Sequence, residues 1–377
     1  MLEKSAEPLK RYLALDVLRG MTIALMVLVN TPGSWSSIYA PFKHAAWHGF
    51  TATDLVFPTF LFVVGNAMSF SFRKFKAEDA GFWKKVLSRT ILIFLIGLLL
   101  NAFPFLTREN EELVFKDLSQ IRIMGVLQRI ALCYFLASLI VKFLNWKAIS
   151  GVSIMILFGY WAILYFFGDH PNPYSLENNA ALKFDLFLFS PENLWSGFGK
   201  TFDPEGLLST LPATVNVLAG FLCGKFIQKY GNSKKTFTNL LLAGLVFLGA
   251  GLLWDTWFPI NKAIWTSSFV IFSTGWDLII LALLVLIIEL LGLKRWTYFF
   301  QAFGRNPLFI FILSGVIVKL LILIKIGDSS LKSVIYDRFY SSWLAPNNAS
   351  LLFALSFMLL MWLIGFWMDK RKIYIKV

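Results

Sequence analysis

Residues 11–31 read RYLALDVLRGMTIALMVLVNT. Only Asp16 and Arg19 bring charge into the run beyond Arg11. Its length matches the roughly 20 residues that a helix needs to cross a bilayer's hydrocarbon core. It carries charge and has no A-x-A cleavage site, so it reads as a first mature helix rather than a cleaved signal peptide. Nine further runs of similar character follow, near 54–73, 84–104, 121–143, 147–167, 206–228, 235–257, 264–292, 304–326 and 349–369. The eighth of the ten is the longest and is expected to tilt or to extend beyond the bilayer.

Composition points the same way. Of 377 residues, 57% are hydrophobic and 15% charged, and the mean hydropathy is +0.67; soluble chains average about 25% charged residues. A transmembrane barrel would show ~10-residue alternating segments, and none is present. The expected fold class is therefore all-α: a polytopic integral membrane protein of about ten transmembrane helices, with residues 1–377 forming a single domain. No internal repeat or low-complexity tract is evident, which weakens a reading built on inverted repeats. Cys133 and Cys223 each sit inside a hydrophobic run and suggest neither a disulfide framework nor a zinc cluster.

The net charge of +13 would suggest nucleic acid in a soluble protein. Here the basic residues alternate from loop to loop, so no nucleic-acid partner is expected. One set of segments holds Lys4, Lys10, Arg11, Arg73, Lys74, Lys76, Lys84, Lys85, Lys142, Lys147, Lys225, Lys229, Lys234, Lys235, Lys294, Arg295, Lys370, Arg371, Lys372 and Lys376. The other holds Lys43, Arg108, Lys116, Lys183, Lys200, Lys262, Lys332 and Arg338. Positive residues favour the cytoplasmic side, which predicts that both termini are cytoplasmic. The longer loops then lie outside, and 168–205, rich in Pro, Asn, Asp and aromatics, is expected to form a small external cap.

Ionisable groups inside spans are costly and tend to pair or to line a cavity. Asp16 and Arg19, three apart on one helix face, form either a structural ion pair or a cationic spot for phosphate. Arg129 lies deep in the fourth run beside Gln128, with Arg122 at its start; its partner is either a buried counter-ion such as Asp16 or Asp277, or a substrate phosphate. Asn216 is a further polar residue within a span. On the external side, Asn30 closes the first run and is followed by two of the chain's three histidines, His44 and His48. Asp54 opens the second run as a helix cap or a functional carboxylate. His44 and His48 are four apart with a carboxylate following, but the H-E-x-x-H context is missing, and no metal is expected. Asp203-Pro204-Glu205-Gly206 reads as a helix start or as two carboxylates suited to an amine. Gly304-Arg305-Asn306-Pro307 is either a turn or an anion site at a helix N-terminus. Phosphate-loop, dinucleotide-binding, C-x-x-C and G-x-S-x-G motifs are absent.

These segments carry a resemblance. Leu15-Asp16-Val17-Leu18-Arg19-Gly20-Met21 with Asn30, Lys43 to Gly49, Asp54 to Pro58, Arg122 to Arg129, Phe202 to Gly206, Pro259-Ile260-Asn261-Lys262 with Trp265 to Ser268, and Gly304 to Pro307 run in order along nearly the whole chain. Together they resemble heparan-alpha-glucosaminide N-acetyltransferases and their bacterial relatives, within a wider superfamily of transmembrane acyltransferases. The resemblance implies transfer of acetyl from cytoplasmic acetyl-CoA to the amine of a non-reducing glucosamine on the far side of the membrane. It places the essential histidine at His44 and a nearby asparagine at Asn30. Asp54 would orient His44; Asp203, Glu205, His48 and Asn261 would meet the sugar; Arg19, Arg122, Gln128, Arg129, Arg305 and Asn306 would meet acetyl-CoA. A homodimer is implied by the resemblance alone. Two departures stand out: the long N-terminal extra-membrane portion is missing, as expected of a protein of the bacterial inner membrane, and His48 stands where the eukaryotic relative carries Asn.

N-acetylation requires that the ammonium lose a proton, that the thioester oxygen meet a donor, and that the reactants be held close. His44 serves as base or as nucleophile, since imidazole titrates near working pH. Asn30 suits the oxyanion. The alternative function is a sugar or amino-sugar transporter, whose midplane polar residues would look alike.

Overall fold

In hydrocarbon, a peptide N–H or C=O bonds only to its own chain, so each apolar run must close its ladder as a helix. The computed structural model describes residues 12–75, 80–109 and 112–375, with the side chain of Glu109 outside that description. Of the basic residues counted above, Lys4, Lys10, Arg11, Lys76 and Lys376 lie outside the described residues.

The chain starts with α1 (Leu13–Asn30), returns through α2 (Val56–Ser71), and crosses again in α3 (Ala80–Ala102), α4 (Val126–Phe143) and α5 (Trp146–Phe167). The short α6 (Ala180–Leu188) lies within 168–205, and α7 (Thr210–Tyr230), α8 (Lys234–Asp255) and α9 (Ser267–Leu284) follow, the last prolonged by π turns over Val285–Leu290. α10 (Thr297–Arg305) meets α11 (Pro307–Leu323) at 81°. A small α12 (Leu331–Tyr336) precedes α13 (Pro346–Lys370). Nine of the described helices are long and apolar enough to span, and the bent α10–α11 pair, taken as one broken span, makes up to ten. The protein is thus a polytopic, all-α membrane protein. Among the described residues, the strands form two small antiparallel hairpins, β1 (Leu106–Glu109) with β2 (Glu112–Phe115) and β3 (Lys325–Ile326) with β4 (Ser329–Ser330).

Both described ends lie on one face, here called the terminal face. There the Ala14 amide donates to Glu289 at the end of α9 (3.2 Å), and Arg305 pairs with Asp369. The long loops gather on the opposite, loop face. Two sequence expectations shift. The longest span is α13, at 25 residues, because Pro346 extends its first turn; the eighth crossing has 24. α4 starts at Val126 rather than 121, because the Asn101 amide donates to the carbonyls of Arg122 (2.9 Å) and Met124 (3.2 Å) and holds that stretch extended.

α1, α2 and α7 form the centre, with 67, 61 and 72% of their spanning windows buried, against 22% for each of α3, α5 and α8. The outer helices turn Leu92, Leu95, Leu99, Ile154, Met155, Leu245 and Val246 outward. Such a belt would drive aggregation in water and is at home against lipid. The centre packs through small residues. A Cβ added at Gly220 of α7 would fall on the carbonyl oxygen of Phe62, and one at Gly65 of α2 on that of Val217. Close backbone approach of this kind is how membrane helices gain dispersion contact without a hydrophobic driving force.

Gly220→Ala should therefore push α2 and α7 apart and destabilise the protein by about 1–3 kcal/mol. A thermal unfolding scan in detergent checks it. A variant with unchanged Tm would show that the contact yields freely.

Candidate active site

The loop between α1 and α2 carries no long helix, and its shape is set by one carboxylate. Asp54, 1% exposed at its side chain, accepts from the Ala45 amide (3.1 Å), the Thr51 amide (3.0 Å) and the Thr51 hydroxyl (3.0 Å) through Oδ2. Its Oδ1 lies 2.6 Å from His44 Nδ1. The 2.6 Å contact assigns the proton to Nδ1 and leaves Nε2 as the basic nitrogen. Lys262, from the α8–α9 connection, places Nζ 3.1 Å from His44 Nδ1 and 3.5 Å from Asp54 Oδ1. Burial pulls the Lys262 ammonium below the usual lysine range, with Asp54 pulling the other way.

This trio lines a cavity of about 510 Å³ on the loop face, with Asn30, Trp35, Arg122, Glu205 and Trp265. Its roof comes from the 168–205 segment, through Trp195 and Phe198. Trp47 pins the histidine loop beneath that roof: its indole donates to the Tyr174 carbonyl (2.9 Å), and its ring meets those of Phe198 and Phe202 edge-on at 5.7 and 5.3 Å.

Arg122 closes the far wall. Its Nε and Nη2 fork onto Asp203 at 2.8 and 2.6 Å, and Nη2 also reaches Glu205 at 2.5 Å. Burial alone would weaken the guanidinium cation, but the bonds to Asp203 and the Glu205 charge hold it above the usual arginine range. One cation between two carboxylates leaves a residual negative charge on this wall. The turn bearing Asp203 and Glu205 is braced by Asp185 of α6, which accepts from the Leu207 amide at 2.9 Å. Burial pushes the Asp185 carboxyl up to about 7, against the pull of that amide and with the Asp203 charge adding to the push.

Other sequence candidates fall elsewhere. His48 does not face His44's cavity; it lines a neighbouring one with Trp161, Tyr165 and Trp257. Burial holds the His48 imidazole below its ordinary range, although the Asp255 charge raises it. Its Nδ1 lies 3.3 Å from Asn261 Nδ2. Asn261 is fully buried and shapes the turn, accepting from the Ile264 amide at 3.0 Å. Arg129 is fully buried but meets neither Asp16 nor Asp277. It donates to the Gly206 carbonyl (3.1 Å) and to Ser209, and lies 4.9 Å over the Trp265 ring. Asp16 sits 3.6 Å from Arg19 near the other end of α1, and Asp277 accepts from Thr59 at 2.5 Å. Gln128 is buried against Gly97 and Gly125 between α3 and α4. Arg305 and Asn306 lie on the terminal face and are already engaged: Arg305 by Asp369 and Tyr374, Asn306 by the backbone of Ile373 (2.9 Å) and Ile375 (2.8 Å). The residues expected to meet acetyl-CoA thus divide, with Arg122 and Arg129 near the loop face and Arg19, Arg305 and Asn306 toward the terminal face.

Comparison with known proteins decides the family. The model for the heparan-alpha-glucosaminide N-acetyltransferase catalytic region matches residues 11–254. The chain belongs to the heparan-alpha-glucosaminide N-acetyltransferase family. Among curated relatives, mouse heparan-alpha-glucosaminide N-acetyltransferase is 26% identical over 357 residues, covering 80% of this chain and 53% of its own length. The human protein of the same name is 26% identical over 359 residues, covering 80% and 52%. The chain therefore spans about half the length of the curated relatives it matches. The family model's range takes in His44, Asp54, Arg122, Asp203 and Glu205, while Lys262 lies just beyond it.

Sequence reasoning assigned no role to Lys262 or to Trp47, Trp195 and Trp265. Lys262 is a cation placed directly after Asn261 in an otherwise apolar connection, and a lone lysine there is a detectable signal. The tryptophans give none, because interfacial tryptophan is ordinary in membrane proteins.

Asp185→Asn keeps an acceptor for Leu207 and removes the titration. A carboxyl raised to about 7 in the fold holds a proton that the unfolded chain gives up near 3.8, so its stabilising share is full at acid pH and lost as pH rises through about 7. The Tm of the wild type should fall by a few degrees relative to the variant between pH 4 and 7 and track it above. Parallel curves throughout would show that Asp185 does not titrate there.

Proposed function

We propose that this chain is a membrane N-acetyltransferase that moves acetyl from acetyl-CoA to the amine of a glucosamine-type sugar at its loop face. The observation that carries the reading is the His44–Asp54–Lys262 cluster at the wall of a residually anionic cavity, in a chain of this family. By the charge bias of the loops, the terminal face is cytoplasmic and the loop face external, in a bacterial inner membrane.

The residues divide the work. The sugar ammonium is drawn to the carboxylate wall, where Glu205 lines the cavity. It passes a proton to Nε2 of His44, whose ring is held by the Nδ1–Asp54 bond. The amine nitrogen then forms the new bond to the acetyl carbon, and the carbon–sulfur bond breaks. The departing thiolate takes up that proton from His44, and the nitrogen sheds its second proton to the freed imidazole and on to solvent, leaving a neutral amide and a thiol. Asn30 and Lys262 supply donors for the oxygen on which negative charge builds. A second route uses the same atoms: Nε2 takes the acetyl group first and hands it to the amine.

The acetyl-CoA phosphates are expected nearer the terminal face. About 16 Å of helix rise separates Arg19 from Asn30 on α1, so the arm bearing the thioester must reach along the helices. Membership of an acetyltransferase family leaves the transporter alternative without support.

The test is acetyl transfer from labelled acetyl-CoA to glucosamine by the purified protein in liposomes. His44→Ala should abolish transfer. Asp54→Asn should lower kcat by roughly 10²–10⁴-fold, as loss of an orienting carboxylate does. Glu205→Gln should raise the KM for the sugar with a smaller effect on kcat. Full transfer by His44→Ala would end the proposal. Label retained on the protein in the absence of sugar, and lost in His44→Ala, would select the acetyl-histidine route.

A further inference from the structure

α11 carries a single charged residue, Lys319. A charge within a spanning helix is costly and calls for partners. Its ammonium caps the end of α3, donating to the carbonyl oxygens of Leu100 and of Phe103, the latter at 3.0 Å. Those bonds use two of its three donors, and the third has no protein acceptor among the described residues.

Lys319 also lines a cavity of about 360 Å³ on the loop face, between the end of α3, the β1–β2 hairpin and the end of α11. Arg108, Lys116 and Lys325 bring three further cations to the same wall, and among the described residues no carboxylate lines it. Lys116, Lys319 and Lys325 have no ion-pair partner among the described residues. Lys116 and Lys319 are close enough to repel one another. Apart from Thr107, the rest of the wall is apolar and includes Leu106 and Ile322, the latter 52% exposed on the outer side of α11. Cations above an apolar wall, at the ends of two outer helices, match the cross-section of a lipid rather than that of a soluble anion.

We infer that this cavity binds the phosphate of an anionic phospholipid from the leaflet at the loop face, with an acyl chain lying along the exposed end of α11. Basic pockets between membrane helices recognise lipid headgroups through this combination of charge and depth. The occupant neutralises the mutual repulsion of the lysines and ties the hairpin, α3 and α11 together. The inference stands apart from the acetyltransferase reading, and its test measures no catalysis.

The full chain is reconstituted into nanodiscs of phosphatidylcholine, with or without phosphatidylglycerol. Thermal unfolding and retained lipid by native mass spectrometry are then measured. Lys319 is left intact because it also holds the end of α3; the variant is Lys116→Gln with Lys325→Gln. Phosphatidylglycerol should raise the wild-type Tm and be retained after detergent extraction. In the variant the rise should be largely lost and retention weakened by roughly tenfold or more. Equal stabilisation or equal retention in the two proteins would overturn the inference. So would an equal rise from inorganic phosphate in discs of phosphatidylcholine alone, which would make the cavity a site for soluble anions.

Discussion

The structure rests on the absence of water from the hydrocarbon layer. Every peptide group there must find its partner in the chain, so the apolar runs become nine or ten helical crossings, and departures from helix are pushed to the two faces. The same constraint sorts the side chains. Within the spans, several polar groups bond locally, Thr59 to Asp277 and Asn216 to Ser273, Thr274 and the Trp265 indole, while others, such as Asn66 Oδ1 and Asp277 Oδ2, are buried without a hydrogen-bond partner. Charge can be concentrated only where helices end. The loop face has the longer connections, and so it has the room to build a cavity.

What is built there is a small electrostatic circuit. On one wall a buried carboxylate holds an imidazole and a lysine; on the other an arginine is outnumbered by two carboxylates. Neither wall stands without the layer above it. The aromatic side chains of 168–205 cover both, and Trp47 ties the histidine loop to that cover. Asp54 itself is buried, and there, away from water, its bonds to the imidazole and to the backbone are stronger than they would be at the surface.

The crossings were legible because a run of about 20 apolar residues has one inexpensive fate. Their ends were less so, as the delayed start of α4 shows: the Asn101 side chain, a whole helix earlier in the chain, keeps Arg122–Met124 extended. The site was legible in part. Asn30, His44 and Asp54 are close in sequence, and the structure gathers them in one cavity. Asp203 and Glu205 arrive there too, but with Arg122 between them, a partner 81 residues from Asp203 that no spacing rule selects. Arg129 shows the harder case. A buried guanidinium calls for an anion by rule, yet here a carbonyl, a hydroxyl and an indole face take that place. His48 and Asn261, near His44 in the chain or in space, turn to each other instead. Sequence gives the cost of burying a group; which neighbour meets that cost is a matter of three dimensions.

Asp54 occupies two positions at once. Through Oδ2 it closes the turn that starts the second crossing; through Oδ1 it sets the proton on His44. One side chain thus joins an architectural task to a chemical one, and neither can drift without the other. Glutamate would keep the charge but move both oxygens by a methylene, and asparagine would keep the shape but present a donor where an acceptor is needed. The position is therefore frozen for two independent reasons. Relatives whose cavities diverge would be expected to vary around this residue rather than at it.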